Sequence, residues 1–277
     1  MFLYSSLSTH RASARCFSTR SVSDGFLHAE PWRRVSLCAQ RALWFHCSIV
    51  LSNAFPLTCY LYRVVLCDVN SPSPDAIEKA AQAIRHGQIV LHPTDTLYGL
   101  ACDPLNPAAL HRLFSLKNRS SSKGVLLMIP NSSYGEVFCH SIPQVFHEMV
   151  SALWPGPVTL LLQAKASLPD LVRGKSGLVG LRQPDLPFLQ LWMEAIPGAI
   201  VSTSANLSDQ SPPSSLAQLR QLLASEVDLY LEGEEIDGQR QASTVVDLTL
   251  DPPQVVRSGQ WAGRVQDFLN RSTETKK

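Results

Sequence analysis

From Ser73 onward, apolar residues recur at spacings that predict helices mixed with short strands. Ser73 caps a first helix with Pro74 in its opening turn. Ile77, Ala80, Ala81 and Ile84 fall at i, i+3, i+4 and i+7, and Gly87 closes it. Gln88–Leu91 predicts a short strand running into the loop His92–Thr96. Asn106 and Pro107 open a second helix, whose stripe is Leu110, Leu113, Phe114 and Leu116. Val125–Ile129 is a continuous apolar run between Gly124 and Pro130, the pattern of a buried strand.

Further along, Trp154-Pro155-Gly156-Pro157 is a turn that feeds a strand at Val158–Leu162. Strands are expected at Leu178–Leu181, Ala199–Ser202, Asp228–Leu231, Thr244–Leu248 and Gln254–Val256. Helices are expected at Phe188–Ala195 and Leu216–Leu223, and Thr203–Ser208 reads as a polar loop. Strands and helices mixed without a strict βαβ repeat predict an α/β or α+β open sheet.

Residues 1–70 differ in kind. They carry seven Arg, no Lys and three acids, a balance of +4, whereas the remainder sums to −3. Rich in Arg and Ser, this stretch fits an organelle transit peptide, and an over-extended gene start fits as well. The charge-free run Ala42–Tyr62 is long enough for a membrane span, but His46, Ser48, Ser52, Asn53, Pro56 and Thr58 interrupt it. All three readings stay open for the N-terminal extension, residues 1–70, while the region 73–259 is expected to be the catalytic domain and 260–277 a tail.

A slightly acidic catalytic region is a poor polyanion-coating surface, so a basic cluster inside it should serve a local anion. Seven Cys are present without a C-x-x-C pair, which excludes a readable zinc framework or disulfide ladder and favours a reducing compartment.

Five constellations could carry chemistry. Lys117, Arg119 and Lys123 place three cations in seven residues, between a helix and a buried strand. Guanidinium and ammonium groups on one loop suit a triphosphate; the alternative is a solvated charged turn. Gly174-Lys175-Ser176 ends like a P-loop, but Pro169 stands where that pattern needs Gly. Pro93-Thr94-Asp95-Thr96 offers hydroxyl and carboxylate partners at a strand end, or only an Asx/ST turn.

Ser202-Thr203-Ser204-Ala205-Asn206-Leu207-Ser208 offers four hydroxyls and an amide for an anion, or caps a helix. Arg182 follows an apolar strand and needs an anionic partner: a ligand, or Asp185 in a structural pair. Ser243 opens one late strand and Arg257 ends another.

The order P-T-D-T-L-Y-G-L, L-K-N-R with S-K-G, W-P-G-P-V-T, G-L-R-Q-P, S-T-S-A-N-L-S, S-T-V-V-D and V-V-R-S-G resembles the YrdC-like threonylcarbamoyl-adenylate synthases, over roughly Ser73 to Gly259. The resemblance implies a twisted open mixed α/β sheet with flanking helices and a large positively charged cavity (YrdC/RibB-like). It implies a nucleotidyltransferase that joins L-threonine, bicarbonate or CO2 and ATP, with Mg2+. The products are threonylcarbamoyl-AMP, pyrophosphate and water, and the first feeds threonylcarbamoyladenosine modification of tRNA.

Carried over by position, Lys117, Arg119, Lys123, Ser204 and Arg257 would bind ATP, Lys117 and Arg119 being catalytic. Thr96, Arg182, Ser202 and Ser243 would bind threonine. No metal ligand is assigned to a protein side chain. Ser120 stands where many relatives have Pro, and Met128 where some have His, which leaves the threonine side-chain pocket open. The short, single-domain branch is the one resembled.

Downstream partners would be the tRNA threonylcarbamoyl-transferase proteins, with weak tRNA or double-stranded RNA binding, no membrane, and a cytoplasmic site. A mitochondrial or plastid site is the alternative if residues 1–63 are a transit peptide. Rival readings are an RNA-binding or ribosome-assembly module using the same cavity, and a carbamoyl-adenylate-handling domain of the hydrogenase-maturation type.

Overall fold

In the computed structural model, residues 64–122, 124–196, 198–206, 213, 215–223, 226–233 and 240–274 are described. The expectations for residues 1–63, including the uncharged run Ala42–Tyr62, lie outside them. All described elements belong to one compact unit, Phe55–Lys277. No helix among the described residues is long and apolar enough to cross a membrane.

Ten strands form one mixed sheet: β1 (Val64–Leu66), β2 (Val90–His92), β3 (Gly99–Cys102), β4 (Leu126–Met128), β5 (Val158–Gln163), β6 (Leu178–Arg182), β7 (Ile200–Ser204), β8 (Leu229–Glu232), β9 (Thr244–Asp247) and β10 (Gln254–Arg257). Their order is β1-β8-β2-β3-β7-β4-β6-β5-β9-β10. β1/β8, β8/β2, β4/β6 and β5/β9 pair parallel and the remaining neighbours antiparallel. The helices are α1 (Pro74–Arg85), α2 (Pro107–Leu116), α3 (Tyr134–Phe138), α4 (Gln144–Leu153), α5 (Asp170–Arg173), α6 (Pro187–Glu194), α7 (Leu216–Leu223) and α8 (Ala262–Glu274). The expected caps form, as the Ser73 and Asn106 side chains accept the Ala76 and Ala109 N–H groups at 3.2 and 3.1 Å.

Side chains alternate across the sheet with period two, and the two faces bury different partners. One face carries Leu91, Leu100, Leu127, Leu160, Leu181, Val201 and Tyr230 into a core shared with α2, α4 and α7. The other carries Val90, Ala101, Met128, Ile200, Leu229 and Leu231 against Ala80, Ala81 and Ile84 of α1 and Phe188, Trp192 and Met193 of α6. Further along that second face, Ser202, Gly180, Arg182, Thr159 and Val245 floor a cavity instead of meeting a helix.

Several elements depart from the sequence expectation. β1 lies before Ser73, so the folded unit begins earlier than expected. Gly99–Cys102 is a central strand, though its small residues inside a T-L-Y-G-L loop give little strand signal. α3 and α4 fill a stretch to which no element had been assigned. The expected tail is largely α8, whose buried Val265 and partly buried Phe268 and Leu269 pack on the core. β7 runs to Ser204, two residues past the expected end, so Ser202 and Ser204 are strand residues held in ladder register.

Candidate active site

The cavity has a volume of about 350 Å³, within the range of small-molecule sites. It draws Thr94, Thr96, Leu97 and Gly99 from the β2–β3 segment and Leu126 and Met128 from β4. Thr159 and Leu161 come from β5, Gly180 and Arg182 from β6, Ser202 to Ser204 from β7, and Ser243, Val245 and Arg257 from the β9–β10 region. Residues far apart in sequence meet here because the strand order interleaves them. Of the candidate residues, Thr96, Arg119, Arg182, Ser202, Ser204, Ser243 and Arg257 all line it.

One described candidate, Lys117, does not line it. Lys117 is 3% exposed, and its Nζ donates to the Ser204 carbonyl, behind the cavity wall. That burial also overturns the solvated-turn alternative for Lys117. Lys123 lies outside the described residues. Burial first, then the Arg119 charge, brings the Lys117 ammonium down to about 8.

Arg182 is almost wholly enclosed. Its Nε donates to the Gly156 carbonyl at 3.1 Å and its Nη1 to Thr96 Oγ1 at 3.1 Å, while Nη2 pairs with Asp95. Asp185, the partner weighed from the sequence, instead donates its backbone N–H to Asp95 Oδ2 at 3.1 Å. The physical reason is the fold-back of the β2–β3 loop, which delivers a nearly buried carboxylate to the end of β6. Thr94 Oγ1 accepts the Thr96 N–H at 2.9 Å and donates to the Leu97 carbonyl at 2.7 Å, which fixes that loop.

On the far wall, Arg257 donates to the Ser243 carbonyl and hydroxyl at 2.8 and 2.9 Å. The Ser243 hydroxyl also meets Thr159 Oγ1 at 2.9 Å. Arg119 donates to the Gly124 carbonyl and stands over the Phe114 ring at 5.9 Å.

Burial lowers the pKa of Arg257 first, and the charges of Arg182 and Arg119 lower it further. Burial likewise lowers Arg119. Both remain cations, and Arg257 bears the added cost of sharing one hollow with like charge. Among the described lining residues none is acidic. Three guanidinium groups and a ring of hydroxyls around a carboxylate-free space form a site that an anion completes.

His92, Gly99 and Thr159 carry no site role in the sequence, and Thr94 and Asp95 stand out there only as a hydroxyl and a carboxylate of the strand-end loop. His92 alternates in register with Val90, which is the one local hint that its side chain faces inward.

The model of the Sua5/YciO/YrdC family, described as telomere recombination, matches residues 82–259. The chain belongs to this family. A relative in Pseudomonas entomophila, named threonylcarbamoyl-AMP synthase, is 33% identical over 183 residues, covering 66% of this chain and 97% of that protein. Among solved structures, P. abyssi Sua5 complexed with L-threonine matches with a TM-score of 0.66 and 29% identity, over 70% of this chain and 57% of that one. This chain therefore spans little more than half of that Sua5 chain. E. coli YciO matches with a TM-score of 0.65 and 26% identity, over 71% of this chain and 95% of that one. The mixed open sheet with flanking helices is thus the family's fold.

Proposed function

We propose that this chain is an L-threonylcarbamoyladenylate synthase, a nucleotidyltransferase acting on L-threonine, bicarbonate or CO2, and ATP. The observation that carries the reading is the convergence of Arg119, Arg182 and Arg257 on one hydroxyl-lined cavity, in a family with relatives named for this activity.

In this assignment Arg182 receives the threonine carboxylate, and Thr96, Ser202 and Ser243 surround the amino acid. Arg119, Arg257 and Ser204 take the nucleotide phosphates together with Lys123. Lys117 acts one step back, holding the Ser204 carbonyl and adding positive potential.

The chemistry balances without a covalent enzyme intermediate. The free amine of threonine attacks CO2, forming an N–C bond and losing a proton to solvent. An oxygen of the resulting carbamate then attacks the α-phosphorus, and the bond to the bridging oxygen breaks to release pyrophosphate. Holding three reactants together removes most of the entropic barrier. Charge that builds on the departing pyrophosphate meets the guanidinium groups of the cavity.

Among the described residues, no cluster of three or more His, Cys, Asp or Glu could hold a metal. A protein-bound Mg2+ does not fit this lining, and the ion is assigned to the triphosphate oxygens and water as part of the ATP substrate. The product would pass to tRNA threonylcarbamoyl-transferase proteins. The described cysteines Cys67, Cys102 and Cys139 are free and buried, in keeping with a reducing cytoplasmic site.

The test is mass-spectrometric detection of threonylcarbamoyl-AMP, with pyrophosphate release that requires threonine and bicarbonate together. Arg119→Ala should raise the KM for ATP about tenfold or more, the loss of one charge-assisted contact. Pyrophosphate release without threonine would sink the proposal, and none under any condition would sink it in favour of an RNA-binding module.

A further inference from the structure

His92 ends β2 and is fully buried, with its ring edge against Trp192 of α6 at a centroid distance of 5.4 Å. It stands where the helix-covered half of the sheet face gives way to the cavity. Its Nδ1 lies 3.0 Å from the Pro93 carbonyl oxygen. A carbonyl only accepts, so Nδ1 carries the ring proton and Nε2 is left with a lone pair. That lone pair lies 3.2 Å from Ser202 Oγ.

A serine hydroxyl has one proton to give. With that proton directed to His92, what Ser202 turns toward the cavity is acceptor density alone. We infer that His92 is a positioning residue that makes Ser202 a one-way acceptor for an N–H or O–H donor of the amino-acid substrate. The inference rests on reading the cavity as a threonine site.

The backbone is arranged to permit this contact. β3 lies between β2 and β7, with Gly99 opposite both His92 and Ser204, and Ala101 opposite Ser202. The His92–Ser202 bond passes over the bare backbone of Gly99, where an added Cβ would come within 2.8 Å of both Nε2 and Oγ. Burial, aided by the charge of Arg182 and opposed by the Pro93 carbonyl, takes the imidazole down to about 4. The ring is therefore neutral near pH 7, the state in which Nε2 accepts.

The arrangement gives the bound amino acid a direction. A carboxylate has only acceptors and is unwelcome at Ser202, so it turns to Arg182, and the donor end turns to Ser202. If that donor is the amine, the contact also aims the nitrogen lone pair away from Ser202 and into the cavity.

Two measurements on the full chain test this: L-threonine affinity by calorimetric titration, and KM values from pyrophosphate release. His92→Leu removes the acceptor. His92→Asn reaches only the Nδ1 position, so it keeps the Pro93 contact and serves if the leucine variant does not fold. Both should weaken threonine about tenfold, as Ser202→Ala does, with the KM for ATP changed less than about threefold. His92→Gln, whose amide oxygen can accept from Ser202, should recover most of the loss. In a Ser202→Ala background, either His92 change should add less than about threefold.

Multiplying effects in the double variant would overturn the inference, as would an equal rise in the KM for ATP or a glutamine variant as weak as the asparagine one. L-2-aminobutyrate, which lacks the hydroxyl, separates the donors. A penalty that persists with it assigns the amine, and one that vanishes assigns the side-chain hydroxyl. Should the wild type bind no threonine, the proposed function fails. Binding by the wild type with unaltered variants fails the role of His92 alone.

Discussion

Replacing Asp95 by Asn separates the stability of the site from its affinity for substrate. Arg182 is 2% exposed and Asp95 12%, and the guanidinium also donates to the neutral Gly156 carbonyl and Thr96 hydroxyl. The substitution keeps an oxygen in place but removes the countercharge. Breaking a buried pair costs about 3–5 kcal/mol. A retained hydrogen bond to the charged Arg returns about 1.5 kcal/mol or more.

The net loss should then be about 2–3 kcal/mol. For a domain of this size that is a fall in Tm of about 4–12 °C. Threonine binding should move the other way: with Asp95 neutral, the substrate carboxylate becomes the countercharge. Its affinity should hold within about threefold or tighten, and threonine should raise the variant's Tm more than the wild type's. Thermal denaturation with and without L-threonine reads both effects. An unchanged Tm, or a threonine KM raised tenfold, would refute the view that Asp95 acts on Arg182 from behind and not on the substrate.

Gly99→Ala should destabilise by about 1–3 kcal/mol in urea titration, the usual cost of overpacking, and should raise the threonine KM more than the ATP KM. Wild-type values for both would mean that the His92–Ser202 contact can give way freely. For His92, whose folded value of about 4 lies below its ordinary 6.5, the unfolded chain binds a proton between those limits that the folded chain does not. Stability is therefore lost as pH falls through that window, by about 2–3 kcal/mol more in the wild type than in His92→Gln. Urea curves of the two proteins at pH 7 and 4.5 should diverge accordingly, and parallel shifts count against a buried neutral ring.

The helix caps, the apolar runs of β4, β5, β6 and β8, and the polar strings at strand ends are legible because each is written in neighbouring residues. Ser73 finds the Ala76 N–H three residues on, whatever the rest of the chain does. A run such as Val125–Ile129 has nowhere to go but a core. The order of seven such strings identified the family, and with it most of the cavity's lining.

Other features had no local mark. Gly99–Cys102 becomes a strand because β2 and β7 supply hydrogen-bond partners on both sides, which its own small residues do not announce. α8 was taken for a tail because its apolar contacts with the core are few.

Sequence alone thus determined the kinds of element and the chemical groups at their ends, since propensity and periodicity act over a few residues. Tertiary structure decided which groups touch. It gave Arg182 to Asp95 instead of Asp185, drew the Lys117 ammonium to the Ser204 carbonyl, and set His92 against Ser202 across a bare glycine. Those pairings depend on a strand order that sequence distance does not encode, and on burial that turns a weak contact between polar groups into an obligatory one.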